Sequence, residues 1–207
     1  MLRLFPLWIG TLLLTGGTSQ ATERPGDYFP LALANRWQYE SSEGTPISPV
    51  TETWEVVSRK GAGYVLRIQQ SLLARDAPAE FVSASSAGVV RQPSDTGSED
   101  GQPQFILKPP LTLGMTWQTS AGRYEITALH ALAAVPAGVF EDCIEITFWS
   151  RNGQARAVTL YAPDVGMVQR DESFTLLGGL GGEAGPRQGR VSLWLTEWHV
   201  GPAIADE

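Results

Sequence analysis

With 207 residues, 43% of them hydrophobic and 18% charged, the chain is globular in composition and long enough for one domain with a sizeable core, or for two small ones. Its 22 glycines and 14 prolines favour many turns over long helices. A formal net charge of −7 argues against nucleic acid as a partner, because the phosphate backbone would be repelled, and no polybasic stretch invites an anionic membrane surface.

Residues 1–21 read as a secretory leader. Met1-Leu2-Arg3 is a short positive start, residues 4–14 are apolar, and Ser19-Gln20-Ala21 fits the small-x-small pattern that signal peptidase reads. The apolar run is shorter than the roughly 20 residues a membrane span needs. The expectation is a cleaved signal peptide, no transmembrane anchor afterwards, and a single β-rich domain over 22–207. That domain would be exported, either periplasmic or extracellular. No cysteine follows the run, which disfavours a lipid anchor.

Further along, strand signals are frequent and helical periodicity is scarce. Thr53-Trp54-Glu55-Val56-Val57 alternates weakly. In 64–69, Tyr64, Leu66 and Ile68 share one face, with Arg67 and Gln69 on the other. Alternation recurs at 124–127, 144–148, 156–161 and 190–196. Period two means one wet and one buried face, the mark of an antiparallel sheet. Residues 59–63 and Arg151-Asn152-Gly153-Gln154 read as hairpin loops, the second because Asn-Gly tolerates positive φ. Loops are also expected at 41–50, 92–104, 131–142 and 178–189. Cys143 is the only cysteine, so no internal disulfide can form, and on a strand it reads as a small buried hydrophobe.

Two stretches echo each other. Pro30-Leu31-Ala32-Leu33-Ala34-Asn35-Arg36-Trp37-Gln38 matches Pro110-Leu111-Thr112-Leu113-Gly114-Met115-Thr116-Trp117-Gln118 at an offset of 80 (117 − 37). Val82 through Gly88-Val89-Val90 lines up with Leu160 through Gly166-Met167-Val168, and Leu66-Arg67-Ile68 with Ile144-Glu145-Ile146, both at 78 (166 − 88, 144 − 66). The expectation is an all-β fold, a curved antiparallel sheet of half-barrel or open-barrel type. It would be built from two similar halves, about 28–108 and 109–200, sharing one core.

Three motifs carry a resemblance: Tyr28-Phe29-Pro30-Leu31 leading to Asn35-Arg36-Trp37, Val135-Pro136-Ala137-Gly138-Val139-Phe140-Glu141-Asp142-Cys143, and Tyr161-Ala162-Pro163-Asp164-Val165-Gly166. Together they resemble a group of uncharacterised secreted or periplasmic bacterial β-rich proteins, over 28 to about 170. The chain departs from that group at Ala34 and Asp164, both turn positions where the group has Gly. The resemblance implies a curved antiparallel half-barrel. Similar half-barrels carry lipids or lipoproteins, an analogy of fold.

Signals for chemistry are sparse. His130 and His199 are the only histidines, and no Gly-x-Ser-x-Gly elbow presents a nucleophile. No Cys/His spacing suits zinc. The acidic stretch 95–101 lacks the ligand spacing of a calcium loop, and the glycines of 178–185 lack the Lys and Ser/Thr of a phosphate cradle. Glu141, Asp142 and Glu145 read as solvent-facing charge. No catalytic residue, metal or cofactor is expected. Tryptophan is the excess: Trp37, Trp54 and Trp117 read as core anchors. Trp149, Trp194 and Trp198 are out of phase with their apolar neighbours, and are the candidate ligand-binding residues on the sheet's second face. The function expected is an extracytoplasmic, non-catalytic binding or carrier module for an apolar ligand, a lipidated partner or a protein surface. The alternative is a structural or assembly protein of the cell envelope, and a third reading is a hydrolase using His130 or His199.

Overall fold

Alternating sequences form strands, and strands account for most of the described chain. The computed structural model describes residues 24–42, 50–71, 79–93, 103–176 and 185–201. The leader-like 1–21, the acidic 95–101 and residues 178–184 of the glycine-rich stretch lie outside them. Among the described residues no helix is long and apolar enough to cross a membrane.

Among the described residues a 3₁₀ turn at Pro25–Tyr28 precedes twelve strands: β1 (Arg36–Ser41), β2 (Val50–Lys60), β3 (Gly63–Gln70), β4 (Glu80–Ser85), β5 (Gly88–Pro93), β6 (Gln104–Leu107), β7 (Thr116–Gln118), β8 (Gly122–Val135), β9 (Gly138–Ser150), β10 (Ala155–Ala162), β11 (Gly166–Leu176) and β12 (Arg187–His199). All pair antiparallel in one sheet, in the order β6-β5-β4-β3-β2-β1-β12-β11-β10-β9-β8-β7. The sheet is therefore two six-stranded meanders, β1 to β6 and β7 to β12, joined where Trp37 of β1 lies opposite Trp198 of β12. Trp37 and Trp117 sit at the second residue of each meander's first strand, and Gly88 and Gly166 open each fifth strand.

Strand twist and bulges between β1 and β12, β2 and β3, β5 and β6, β8 and β9, and β10 and β11 curl this sheet. Its two edges, β6 and β7, share no ladder among the described residues, yet they are drawn together: the Trp117 indole donates to the Phe105 carbonyl at 2.9 Å. The result is an open, curled barrel with one face turned inward.

One end of the interior is packed solid. Tyr28, Phe29, Trp37, Tyr39, Cys143, Ile144 and Leu195 are buried there. Each such side chain contributes about 1.5–3 kcal/mol by leaving water. Trp37 donates to the Val165 carbonyl at 2.6 Å and Tyr39 to the Met167 carbonyl at 3.0 Å, so polar tips do not oppose burial.

Four sequence expectations need correcting here. Residues 131–142 are not a loop but the bent end of the β8–β9 hairpin. Three register shifts and left-handed φ values of 54° at His130 and Asp142 fold it over the packed end. There the Ala137 amide donates to the Leu195 carbonyl at 2.9 Å. β12 already begins at Arg187, inside the expected glycine-rich loop, and it ends on His199 rather than short of it. Gln92 belongs to β5 and Gln104 to β6. In the β8–β9 hairpin and at Thr196 bulges break period two, and Gly189 interrupts it near the start of β12.

The two turn positions that differ from Gly in the resembled group are left-handed here, with φ 67° at Ala34 and 58° at Asp164. The turns keep the glycine conformation without the glycine.

Cys143 is fully buried, and burial pushes its thiol up to about 11. A thiol-specific reagent at pH 8 should therefore leave the native protein unmodified and react once after denaturation. Stoichiometric labelling of native protein would contradict the packing of this end.

Candidate functional site: an interior cavity

Away from the hairpin-covered end, the inner face is not filled. Two adjoining cavities of about 220 and 310 Å³ lie there. Trp54, Arg91 and Arg170 line both. Leu66, Ile106, Phe148 and Tyr161 give the first an apolar wall, while Glu52, Ile68, Glu172 and Leu193 border the second. Small-molecule sites run to roughly 300–1,000 Å³, are mostly apolar and carry a few placed polar groups.

Alternation aims these residues inward. After Gly88, with φ 134°, Val89 is fully buried and Arg91 follows two residues later on the same face. On β11 a bulge at Val168 places Met167 opposite Tyr161 but Gln169 opposite Leu160, so Arg170, not Gln169, faces in opposite Thr159. Arg91 and Arg170 thus come from strands six apart in the sheet, brought to one space by its curl.

The charges inside are unevenly satisfied. Glu52 accepts from the Trp54 indole at 2.5 Å and from Gln70 at 2.6 Å. Arg170 donates to Glu172 at 2.7 Å. Arg91 makes no hydrogen bond among the described residues; its Nε stands 3.7 Å from Glu80 Oε2, and that oxygen has no donor either. Burial pushes the Glu80 carboxyl above the usual range. Arg91 and Arg170 pull it down and Glu52 adds to the rise, and burial prevails. Burial likewise raises Tyr124, and raises Tyr161 to about 12, so both phenols stay neutral.

A carboxyl raised on folding disfavours the native state wherever it is ionised. That penalty is present at neutral pH and disappears below the ordinary carboxylate range. Glu80→Gln should therefore raise the melting temperature at pH 7.5, by an increment that shrinks to nothing as pH falls below about 4. A lowered melting temperature at pH 7.5 would mean that the ion pair with Arg91 outweighs desolvation.

The sequence-predicted tryptophans do not form this site, nor one site of their own. Trp149 lies on the outer face under the Arg123 guanidinium, 4.3 Å from ring centroid to Cζ. Trp194 is on the outer face of β12, three strands from β9 and so about 14 Å away. Trp198 is not on the outer face. A bulge at Thr196 leaves Leu195 opposite Tyr39 and Trp198 opposite Trp37, returning it to the inner side at the rim. There it packs against Phe140 with ring centroids 5.3 Å apart, 42% exposed. His130 is paired with Asp142 at 3.0 Å on the exposed bend of the hairpin, and His199 is at the exposed end of β12. Glu145 accepts from Thr127 at 2.6 Å on the outer face. Among the described residues no group of three His, Cys, Asp or Glu could hold a metal ion.

Sequence reasoning missed Glu52, Glu80, Arg91 and Arg170. One signal was present: an Arg follows the Gly-apolar-Val turn in both echoes, three residues after Gly88 and four after Gly166. The bulge at Val168 absorbs the extra residue.

No family model and no curated protein matches the chain. Two solved structures are similar in fold. One is a protein described as exported, with a YmcC-like fold, from Bacteroides fragilis; it is 13% identical, covers 83% of this chain and 98% of its own, and has a TM-score of 0.47. The other, described as a lipoprotein, is from Parabacteroides distasonis, with 13% identity, the same coverage and a TM-score of 0.48. At that identity a likeness concerns the course of the chain, not its side-chain chemistry.

Proposed function

We propose that this chain is an exported, non-catalytic binding or carrier module that holds a small apolar or amphiphilic molecule inside its curled sheet. The observation that carries this reading is the unfilled part of the inner face, an apolar-walled space in a fold whose other end is closely packed. The leader-like residues 1–21 support export. The site is the concave face rather than the outer tryptophans.

The test is displacement of the neutral fluorescent probe N-phenyl-1-naphthylamine by 1-dodecanol. Saturable binding at one site is expected, weakened in Ala157→Leu, which adds bulk to the cavity wall where Ala157 is buried. No saturable binding of either molecule would remove the reading.

A second reading, a structural protein of the cell envelope assembled from copies of this chain, rests on a different observation. Leu132 and Val139, 63% and 66% exposed, lie on the bent hairpin that also reaches Trp198. Under it, light scattering at micromolar concentration would give a mass above that of the monomer, and the same measurement on Leu132→Lys would give the monomer mass.

A further inference from the structure

We propose that the cavity is specific for a carboxylate-headed amphiphile, its head held between Arg91 and Arg170 and its apolar body against Trp54, Leu66, Ile106 and Phe148. This rests on the binding reading above and adds the ligand's chemistry to it.

Three observations lead there. First, Arg91 is a half-buried guanidinium with no hydrogen bond among the described residues and only a 3.7 Å ion pair. A guanidinium offers five donors in a planar fork, and at 29% side-chain exposure those of Arg91 are open to a ligand in the cavity. An oxyanion there replaces water as their acceptor, and the fork suits a planar carboxylate in particular. Second, Arg170 borders the same space and, among the described residues, donates to Glu172 alone, at 2.7 Å, so it has donors to spare. Two cations from opposite sides of the curl converge on one space, walled on its apolar side by Leu66, Ile106 and Phe148 and on its polar side by Glu80, Gln104 and Thr159. Third, the competing carboxylates are committed or weakened. Glu52 is held by Trp54 and Gln70, and Glu172 by Arg170. Glu80, raised by burial, takes up a proton more readily than an exposed carboxylate when a second anion approaches Arg91. The interior already holds these three carboxylates against two guanidiniums, which favours a singly charged head over a doubly charged one.

The experiment compares displacement of N-phenyl-1-naphthylamine by dodecanoate, 1-dodecanol and dodecyl phosphate on the full exported chain at pH 7.5. Dodecanoate is expected to bind about tenfold or more tightly than dodecanol, the contribution of charge-assisted hydrogen bonds. That ratio should fall towards one in Arg91→Met and be partly kept in Arg91→Lys, which retains the charge without the fork. Arg170→Met provides the same reading should the first variant fold poorly. Dodecanol binding with no preference for dodecanoate in the wild type overturns this proposal and leaves the binding module standing. So does a preference that survives in both Met variants. Tighter binding of dodecyl phosphate than of dodecanoate overturns the assignment of a carboxylate. Binding of none of the three removes both readings together.

Discussion

Trp37→Ala should lower the melting temperature by roughly 10 °C or more and abolish folding in any already weakened background. Trp37 is 2% exposed, opposite Trp54 and Trp198 in the ladder, and 6.1 Å from the Phe29 ring. Removing a buried Trp side chain costs about 3–5 kcal/mol through lost transfer energy and the cavity left behind. The change also strips the Val165 carbonyl of its donor. For a domain of this size each kcal/mol moves the midpoint by about 2–4 °C. Trp37→Phe separates the two effects, keeping most of the packing and losing the hydrogen bond. Trp149→Ala is the control: a tryptophan on the outer face, against Arg123, should cost far less. Thermal melts followed by circular dichroism decide it, and equal losses at Trp37 and Trp149 would mean that the inner and outer faces have been assigned wrongly.

The second large effect is at Gly88. Its φ of 134° is a region that side chains rarely adopt, and a Cβ there would stand 2.4 Å from the Leu107 carbonyl oxygen and 3.0 Å from the Phe105 ring. Gly88→Ala must therefore strain its own backbone and push β5 from β6, the strand at one edge of the sheet. Strain alone costs about 1–3 kcal/mol. The contact with backbone adds to this, because that oxygen cannot swing away as a side chain would. Gly138 separates the two contributions: its φ is 143°, but a Cβ there meets nothing within 4 Å. Chemical denaturation should show Gly88→Ala losing clearly more stability than Gly138→Ala. Similar losses would show that strain acts alone and that β6 yields freely.

Much of the architecture was legible because it depends on period-two patterns. Tyr64, Leu66 and Ile68, or Ile144 and Ile146, announce an inner face without any knowledge of neighbours. The echo around Trp37 and Trp117 marks matching places in two meanders, because both residues begin a strand and bury an indole that needs an acceptor. What failed did so at bulges. One extra residue at Thr196 reverses the side of Trp198, and one at Val168 reverses the side of Arg170. A single sequence gives no sign of such an insertion, since the residues on either side still alternate. The cavity was less legible still. Glu80, Arg91 and Arg170 look like ordinary charges on half-wet strands, and only the curl of the whole sheet turns their face inward. Long-range closure of this kind is set by the sum of many small twists, not by any local motif.

A ligand held inside the curl would shield the cavity wall and leave the outer face of the same strand open. Thr159 and Val158 are neighbours on β10, the first on the cavity wall and the second on the outer face. With Cys143 changed to Ala, single thiols introduced by Thr159→Cys and Val158→Cys can be labelled with a thiol reagent, with and without 1-dodecanol. Dodecanol at about ten times its dissociation constant should slow labelling at 159 by about tenfold and leave 158 unchanged. Equal effects at the two positions, or saturable dodecanol binding with no protection at 159, would place the ligand elsewhere and contradict the account.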